Sequence, residues 1–126
     1  MIGLGTTLRC NLPPRHLYVV LSDPAQTGGP ILLVNLTALD DDCVDDASLL
    51  GAEDYPRFLT HATPVAYSRA QAGTVARLQA LVEGGHLRLI APIPPPTPAK
   101  MLKGAHQSRE LSDSQKQLVA ISSNRS

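Results

Sequence analysis

Residues 15–37 have the sequence RHLYVVLSDPAQTGGPILLVNLT, in which two apolar segments flank a glycine-containing turn. Both segments are continuously apolar, which predicts two central strands buried on both faces. In an antiparallel hairpin the second strand returns to the end where the first strand begins. Arg15 precedes the first strand and Thr37 follows the second, so we expect the two side chains to lie close together. A guanidinium and a hydroxyl at one strand end predict a site for a phosphodiester.

The pattern on either side of this hairpin also predicts short strands. Before the hairpin, an alternating segment ends at Pro13-Pro14, because proline cannot donate to a strand ladder. After it, an edge strand precedes either two short strands or one bent strand, and Pro64 marks an edge or a bulge. Five or six short strands within residues 1–67 favour a small barrel and are too few for a sandwich. The predicted strands are residues 5–12, 16–22, 31–36, 48–51, 57–61 and 63–67.

Residues 68–126 are predicted to be mainly helical, which makes the fold class α+β. Ser68 is the predicted N-cap of a helix that reaches Glu83. A short apolar stretch at 86–90 then leads into an extended, proline-rich spacer at 91–98. Two further helices are predicted at 97–105 and at 112–120, the second opened by a capping box of Ser112 and Gln115.

The composition narrows the class of protein. A chain of 126 residues is expected to form one domain with a modest core. It contains one Phe, three Tyr and no Trp, too few rings for the stacking platforms of RRM and OB folds. We expect no targeting or membrane-spanning segment. Cys10 and Cys43 lack a metal-binding or redox spacing, and we interpret them as reduced thiols of a cytoplasmic protein.

The formal net charge of zero hides an uneven distribution of charge. Residues 1–67 carry three basic and eight acidic side chains, whereas residues 68–126 carry eight basic and three acidic ones. This asymmetry indicates a basic face for an anionic partner, packing of the C-terminal half on the N-terminal half, or packing of one subunit on another. The sequence leaves these alternatives open.

Two histidines are candidate proton carriers. His16 adjoins Arg15, but neighbouring strand residues point to opposite faces, so both reach one site only if a bulge intervenes. His61 and Tyr67 are six residues apart, which puts both on one face of a regular strand. The two residues form either a catalytic pair or a hydrogen-bonded structural pair.

The acidic segment at 40–46 does not fit a calcium-binding loop. Val44 occupies the fifth loop position, where an EF-hand needs an oxygen ligand, and no glycine follows it. We interpret this segment as a solvated acidic loop. The histidines and cysteines are too scattered for a zinc site. We therefore expect neither a metal nor another cofactor.

Residues 15–23 and 31–37 together resemble the MazF/PemK toxin family of toxin–antitoxin systems. Arg15 occupies the family's arginine position, counted back from Asp23, and Thr37 occupies its threonine position. The resemblance covers roughly residues 5–67 and implies an SH3-like β-barrel with appended helices, usually in a homodimer. We place the barrel at 1–67 and, in the same compact unit, a helical extension at 68–126. It also implies an antitoxin protein as partner and metal-independent cleavage of single-stranded RNA, in which the arginine and the threonine act on the scissile phosphate and the 2′-hydroxyl attacks.

We therefore predict a toxin-like, metal-independent endoribonuclease in which Arg15 clamps the phosphate and Thr37 assists. His16 or His61 is the predicted proton carrier. The alternative is a non-catalytic barrel that binds a protein partner, which the acidic loop, the basic C-terminal half and the proline-rich spacer favour. A hydrolase of another kind, acting through the histidine and tyrosine of the 61–67 segment, is a third interpretation. The residues expected to contact the substrate are Ser22, Asn35 and Tyr67.

Overall fold

The computed structural model describes residues 2–11, 16–36, 48–56, 58–59 and 63–123. Within these residues the fold is α+β, as predicted, and six strands form one antiparallel sheet that curls into a half-barrel. The strands are β1 (Thr7–Cys10), β2 (Leu17–Val20), β3 (Pro30–Leu36), β4 (Leu49–Leu50), β5 (Thr63–Thr74) and β6 (Leu87–Ile90). Their order across the sheet is β4-β5-β3-β2-β1-β6. The helices are α1 (Pro24–Thr27), α2 (Val75–Glu83), α3 (Pro96–Gln107) and α4 (Asp113–Ser123), with a 3-10 turn at Ala52–Asp54.

The predicted hairpin of β2 and β3 is confirmed, and both strands are central. The strands pair in antiparallel fashion, with Leu17 opposite Leu36 at the open end of the hairpin. Their connection includes the single helical turn α1, because the Asp23 carboxylate accepts a hydrogen bond from the Ala25 amide at 3.0 Å. Gly28 ends that turn with a φ of 83°, a conformation that favours glycine. The edge position predicted for 48–51 is also confirmed, in β4.

The helix predicted from Ser68 to Glu83 is wrong in its first half. Strand β5 runs through Ser68 to Thr74, and α2 begins only at Val75. Thr74 is the actual N-cap, since its Oγ1 accepts a hydrogen bond from the Arg77 amide at 3.1 Å. The first half of β3 pairs with this part of β5, so an inter-strand ladder replaces the hydrogen bonds of the predicted helix.

One shorter segment also differs from the sequence-based prediction, and another forms an element that the sequence left unassigned. Phe58 and Leu59, within the strand predicted at 57–61, form a turn in which both amides donate to the Tyr55 carbonyl, at 3.0 and 2.9 Å. The apolar stretch at 86–90 is strand β6, which pairs with β1 along its whole length. The sheet therefore includes strands from both sides of residue 67.

Helices α3 and α4 lie where the sequence predicts helices. The capping box that precedes α4 is present: the Gln115 amide donates to Ser112 Oγ at 3.2 Å, and the Ser112 amide donates to Gln115 Oε1 at 2.9 Å. Gln115 also donates from Nε2 to the Ala70 carbonyl at 3.1 Å. This bond links the start of α4 to β5 and fixes the helix against the sheet.

The sheet has an apolar cluster on each face. One cluster is covered by α3 and α4, and the other by α2 and Ile2. Alternation along β2 divides its side chains between them: Val19 belongs to the first cluster and Val20 to the second. Burial of each such side chain stabilises the fold by about 1.5–3 kcal/mol. The largest fully buried side chains include Tyr55, Tyr67, Leu8, Leu21, Leu32, Leu50 and Met101.

The pairing of β3 with β5 is irregular. Leu33 lies opposite Gln71, but Asn35 lies opposite Ala66, so β5 contains three more residues than β3 between these two pairs. Extra residues of this kind bend a strand and increase its twist. The irregularity therefore accounts for the curl of the sheet in its middle.

Tyr67 follows Ala66 and joins the sheet to α3. Its side chain is 1% exposed, and its hydroxyl donates to the Met101 carbonyl at 2.7 Å. The same hydroxyl lies 2.8 Å from Ser48 Oγ, with which it shares a hydrogen bond. Gly104 makes this approach possible, because a Cβ there would overlap Ser48 Oγ and lie 2.7 Å from the Tyr67 hydroxyl oxygen.

We expect Gly104→Ala to lower the free energy of unfolding, as measured by chemical denaturation. Steric overlap in a packed core costs about 1–3 kcal/mol, which exceeds the gain of up to about 1 kcal/mol in helix propensity. Gly73→Ala is the matched control, because a Cβ at Gly73 has no atom within 4 Å. Equal stability of the two variants would contradict the close packing of Gly104 on Tyr67.

Candidate functional site

Four polar side chains lie on one face of β1, β2 and β3, near the open end of the central hairpin. Tyr18 is opposite Leu8 on one side and opposite Asn35 on the other. The Cys10 amide donates to the His16 carbonyl at 3.1 Å, so these two residues form the next cross-strand pair. Directly opposite residues share a face of the sheet, as do residues two apart in one strand. We call Cys10, His16, Tyr18 and Asn35 the hairpin-end cluster.

The rings of His16 and Tyr18 are in edge-to-face contact. Their centroids are 6.4 Å apart and their planes are inclined at 75°. Both side chains are partly buried. An edge-to-face pair restricts the rotation of both rings, which gives the imidazole a defined orientation at the sheet end.

Asn35 is the most unusual member of the hairpin-end cluster. Its side chain is 5% exposed, and its Oδ1 is buried without a hydrogen-bond partner in the described part of the chain. Leaving a buried acceptor unsatisfied costs about 1–3 kcal/mol. Native proteins retain few such groups, and those they retain are concentrated at sites of ligand binding and chemistry.

The pKa of Tyr18 is raised by burial of its phenol and, to a smaller extent, by the neighbouring Cys10 thiol. The phenol therefore stays protonated through the neutral range and can donate a hydrogen bond. With the imidazole of His16 and the free acceptor of Asn35, the hairpin-end cluster offers a proton carrier, a donor and an acceptor. These are the groups that a polar ligand with exchangeable protons would need.

The structure brings together only some of the predicted site residues. His16 and Asn35 share the hairpin-end cluster, whereas Ser22 lies beyond the opposite end of β2. Ser22 is fully buried, and its Oγ accepts a hydrogen bond from the Leu32 amide at 2.7 Å. Tyr67 is buried in the core, where its hydroxyl is hydrogen-bonded to the Met101 carbonyl and to Ser48 Oγ. The other predicted site residues, Arg15, Thr37 and His61, lie outside the described residues.

Sequence reasoning missed Tyr18 and Cys10 as members of the cluster. The position of Tyr18 could have been predicted from the sequence, because strand residues two apart lie on the same face and Tyr18 follows His16 by two. The position of Cys10 beside His16 could not, since it depends on the register between β1 and β2. Cys10 has a free thiol, and the predicted acidic loop at 40–46 and Cys43 lie outside the described residues.

Neither a metal centre nor a membrane span is found in the described ranges. No three or more His, Cys, Asp or Glu side chains among these residues are grouped so that they could hold a metal ion. None of the described helices is long and apolar enough to cross a membrane.

Comparison with known proteins adds no assignment to this geometry. No protein-family model matches the chain, and no curated protein matches it either.

We expect Asn35→Leu to raise the free energy of unfolding by about 1–2 kcal/mol, because it removes an unsatisfied buried acceptor and keeps the side-chain volume. Asn11→Leu is the matched control. The Asn11 Nδ2 donates to the Gly85 carbonyl at 2.7 Å, so its replacement should lower stability. Urea denaturation of the two variants measures both changes, and a loss of stability in Asn35→Leu would contradict the unsatisfied state of Oδ1.

The raised pKa of Tyr18 predicts a loss of stability at alkaline pH. The protonated phenol makes its full contribution to the free energy of unfolding below the ordinary tyrosine pKa of 10.0. That contribution is lost as the pH rises through the higher pKa of the folded state. We expect the free energy of unfolding to fall as the pH rises through and above the ordinary tyrosine pKa of 10.0, and to fall less steeply in Tyr18→Phe. Identical pH profiles of the two proteins would contradict this prediction.

Proposed function

We propose that this protein is a metal-independent endoribonuclease that cleaves single-stranded RNA at the open end of the β2–β3 hairpin. The observation that supports this proposal is the hairpin-end cluster, in which His16 lies on one face with Tyr18 and the unsatisfied Asn35. The chain runs directly from this end to Arg15 and Thr37, the two positions of the family resemblance. The SH3-like assignment of the half-barrel, the homodimer and the antitoxin partner belong to the same proposal.

The proposed reaction is a transesterification within the RNA. The 2′-oxygen forms a bond to phosphorus as its proton leaves, and the bond between phosphorus and the 5′-oxygen of the next nucleotide breaks as that oxygen gains a proton. His16 is the proposed proton carrier, and a positioned acid or base of this kind contributes about 10²- to 10⁴-fold in rate. Arg15 stabilises the charge that develops on the phosphate, and Thr37 donates a hydrogen bond to it. Tyr18 and Asn35 orient the imidazole and the nucleotide.

A second candidate function, a barrel that binds a protein partner, is favoured by a groove on the same face as the hairpin-end cluster. This groove has a volume of about 300 Å³ and lies between α2 and the strands β3 and β5. Ile31, Leu33, Leu78 and Leu81 contribute its apolar lining. Next to it, residues 71–74 of β5 have a strand partner only on the β3 side in the described chain. An extended peptide could pair with such an edge.

The test of the proposed function is cleavage of a mixed-sequence single-stranded RNA in EDTA. We expect the wild type to cleave it, Arg15→Ala to be inactive, and His16→Gln to be slower by about 10²- to 10⁴-fold. His106→Gln is the control for His16→Gln, because His106 is an exposed histidine on α3. An RNA with 2′-deoxy nucleotides should remain intact, since the proposed nucleophile is then missing. Intact RNA with the wild type, or full activity of Arg15→Ala, would overturn the proposal.

The salt dependence of RNA binding separates the two candidate functions. Binding to phosphates releases counterions, so the affinity of a ribonuclease for an uncleavable RNA should fall steeply as salt is raised. A protein-binding barrel should not bind this RNA even at low salt.

A further inference from the structure

Two arginines lie directly opposite each other in the pairing of β1 with β6. The register places Arg9 against Arg88, so both side chains are on the same face of the sheet. Like charges in directly opposite positions destabilise a strand pair. An arrangement of this kind calls for a group that compensates the charge.

No group in the described residues provides that compensation. Neither arginine has an ion pair or a hydrogen bond there, and the one ion pair of those ranges joins Lys100 to Asp54 at 2.9 Å. The Nε of Arg9 is buried and has no hydrogen-bond partner. An unsatisfied buried donor costs more free energy on a charged group than on a neutral one. Because Arg88 is exposed, solvent screens part of the repulsion, and the buried Nε of Arg9 is the group that a bound anion would compensate.

A polar groove lies at the two guanidinium groups. It has a volume of about 130 Å³ and is lined by Arg9, Cys10, Asn11 and Arg88, which we call the β1–β6 groove. A cavity that holds one water molecule has about 10–15 Å³ by this measure, so a small oxyanion fits. Its rim is held in place, because Asn11 donates from Nδ2 to the Gly85 carbonyl at 2.7 Å and from its amide to the His86 carbonyl at 3.1 Å.

We propose that the β1–β6 groove binds a phosphate group through Arg9 and Arg88. Guanidinium groups present paired N–H donors that match the oxygens of a phosphate, and two of them offset its double charge. Arg9 and Cys10 are consecutive in β1, so the two arginines lie on the face of the sheet opposite to the hairpin-end cluster, at the same end of the sheet. If the proposed function holds, on which this last step rests, the bound group is a backbone phosphate of the RNA other than the scissile one. The same two arginines would also bind the phosphate group of a free phosphate monoester.

The binding site itself is tested without RNA, by titration of inorganic phosphate at low ionic strength. The Nε–Hε signals of the arginines, observed by NMR, should shift saturably for Arg9 and Arg88, and chloride at equal ionic strength should not reproduce the shifts. In Arg9→Gln and Arg88→Gln the affinity for phosphate should fall about tenfold or more. Arg109→Gln is the charge-matched control, since Arg109 is exposed between α3 and α4 and should leave binding unchanged. The absence of saturable shifts, or equal loss in the control, overturns the proposal.

A second readout uses thermal stability and guards against a variant that is merely misfolded. Arg88→Gln removes the repulsion from Arg9, so without phosphate it should melt at a higher temperature than the wild type. Phosphate should raise the melting temperature of the wild type and leave that of the variant unchanged. A variant that melts lower and still responds to phosphate overturns the assignment of these residues.

The RNA arm distinguishes the source of the phosphate. If the backbone supplies it, the KM for RNA cleavage should rise about tenfold or more in Arg9→Gln and Arg88→Gln, with kcat retained. An unchanged KM together with phosphate binding supports the site and identifies a free phosphate monoester as its ligand. Phosphate binding without any RNA cleavage supports the site and removes only the proposed ribonuclease.

Discussion

The antiparallel ladder between β2 and β3 sets the position of every other strand in the sheet. Strand β1 adds to β2 and carries β6, while β5 adds to β3 and carries β4. Because both faces of this hairpin are buried, a slip of one residue would exchange its apolar side chains between the two clusters. The same register places Tyr18 opposite Asn35, so the candidate site depends on the pairing that holds the core together.

The polar groups at this end of the sheet reduce the stability that the core provides. Asn35 keeps a buried acceptor unsatisfied, and Arg9 keeps a buried donor unsatisfied beside a second guanidinium. Either group is easily replaced by an apolar residue in a fold that only has to be stable. These two groups lie on β3 and β1, which β2 separates, at the same end of the sheet. Buried polar groups without a partner are typical of sites that bind a ligand.

Local patterns in the sequence were sufficient for the elements whose signals are local. Continuous apolar segments gave the central hairpin, and the spacing of Ser112 and Gln115 gave the cap of α4. They failed for residues 68–74, whose Arg, Ala and Gln suit a helix until the ladder with β3 is known. The groove at Arg9 and Arg88 could not be predicted, because it depends on the pairing of strands far apart in the chain.

The uneven charge of the chain takes on a structural meaning once the strands are paired. If the basic C-terminal half served to neutralise the acidic N-terminal half, its cations should meet carboxylates across the fold. Lys100 does so at Asp54, whose pKa is raised by burial but lowered overall by this lysine and by the Gly51 amide. Arg88 does the opposite, because β6 brings it against Arg9, a cation of the N-terminal half. A pairing of like charges beside a groove is the arrangement expected of a surface that binds an anion, and among the interpretations of the charge asymmetry it favours an anionic partner.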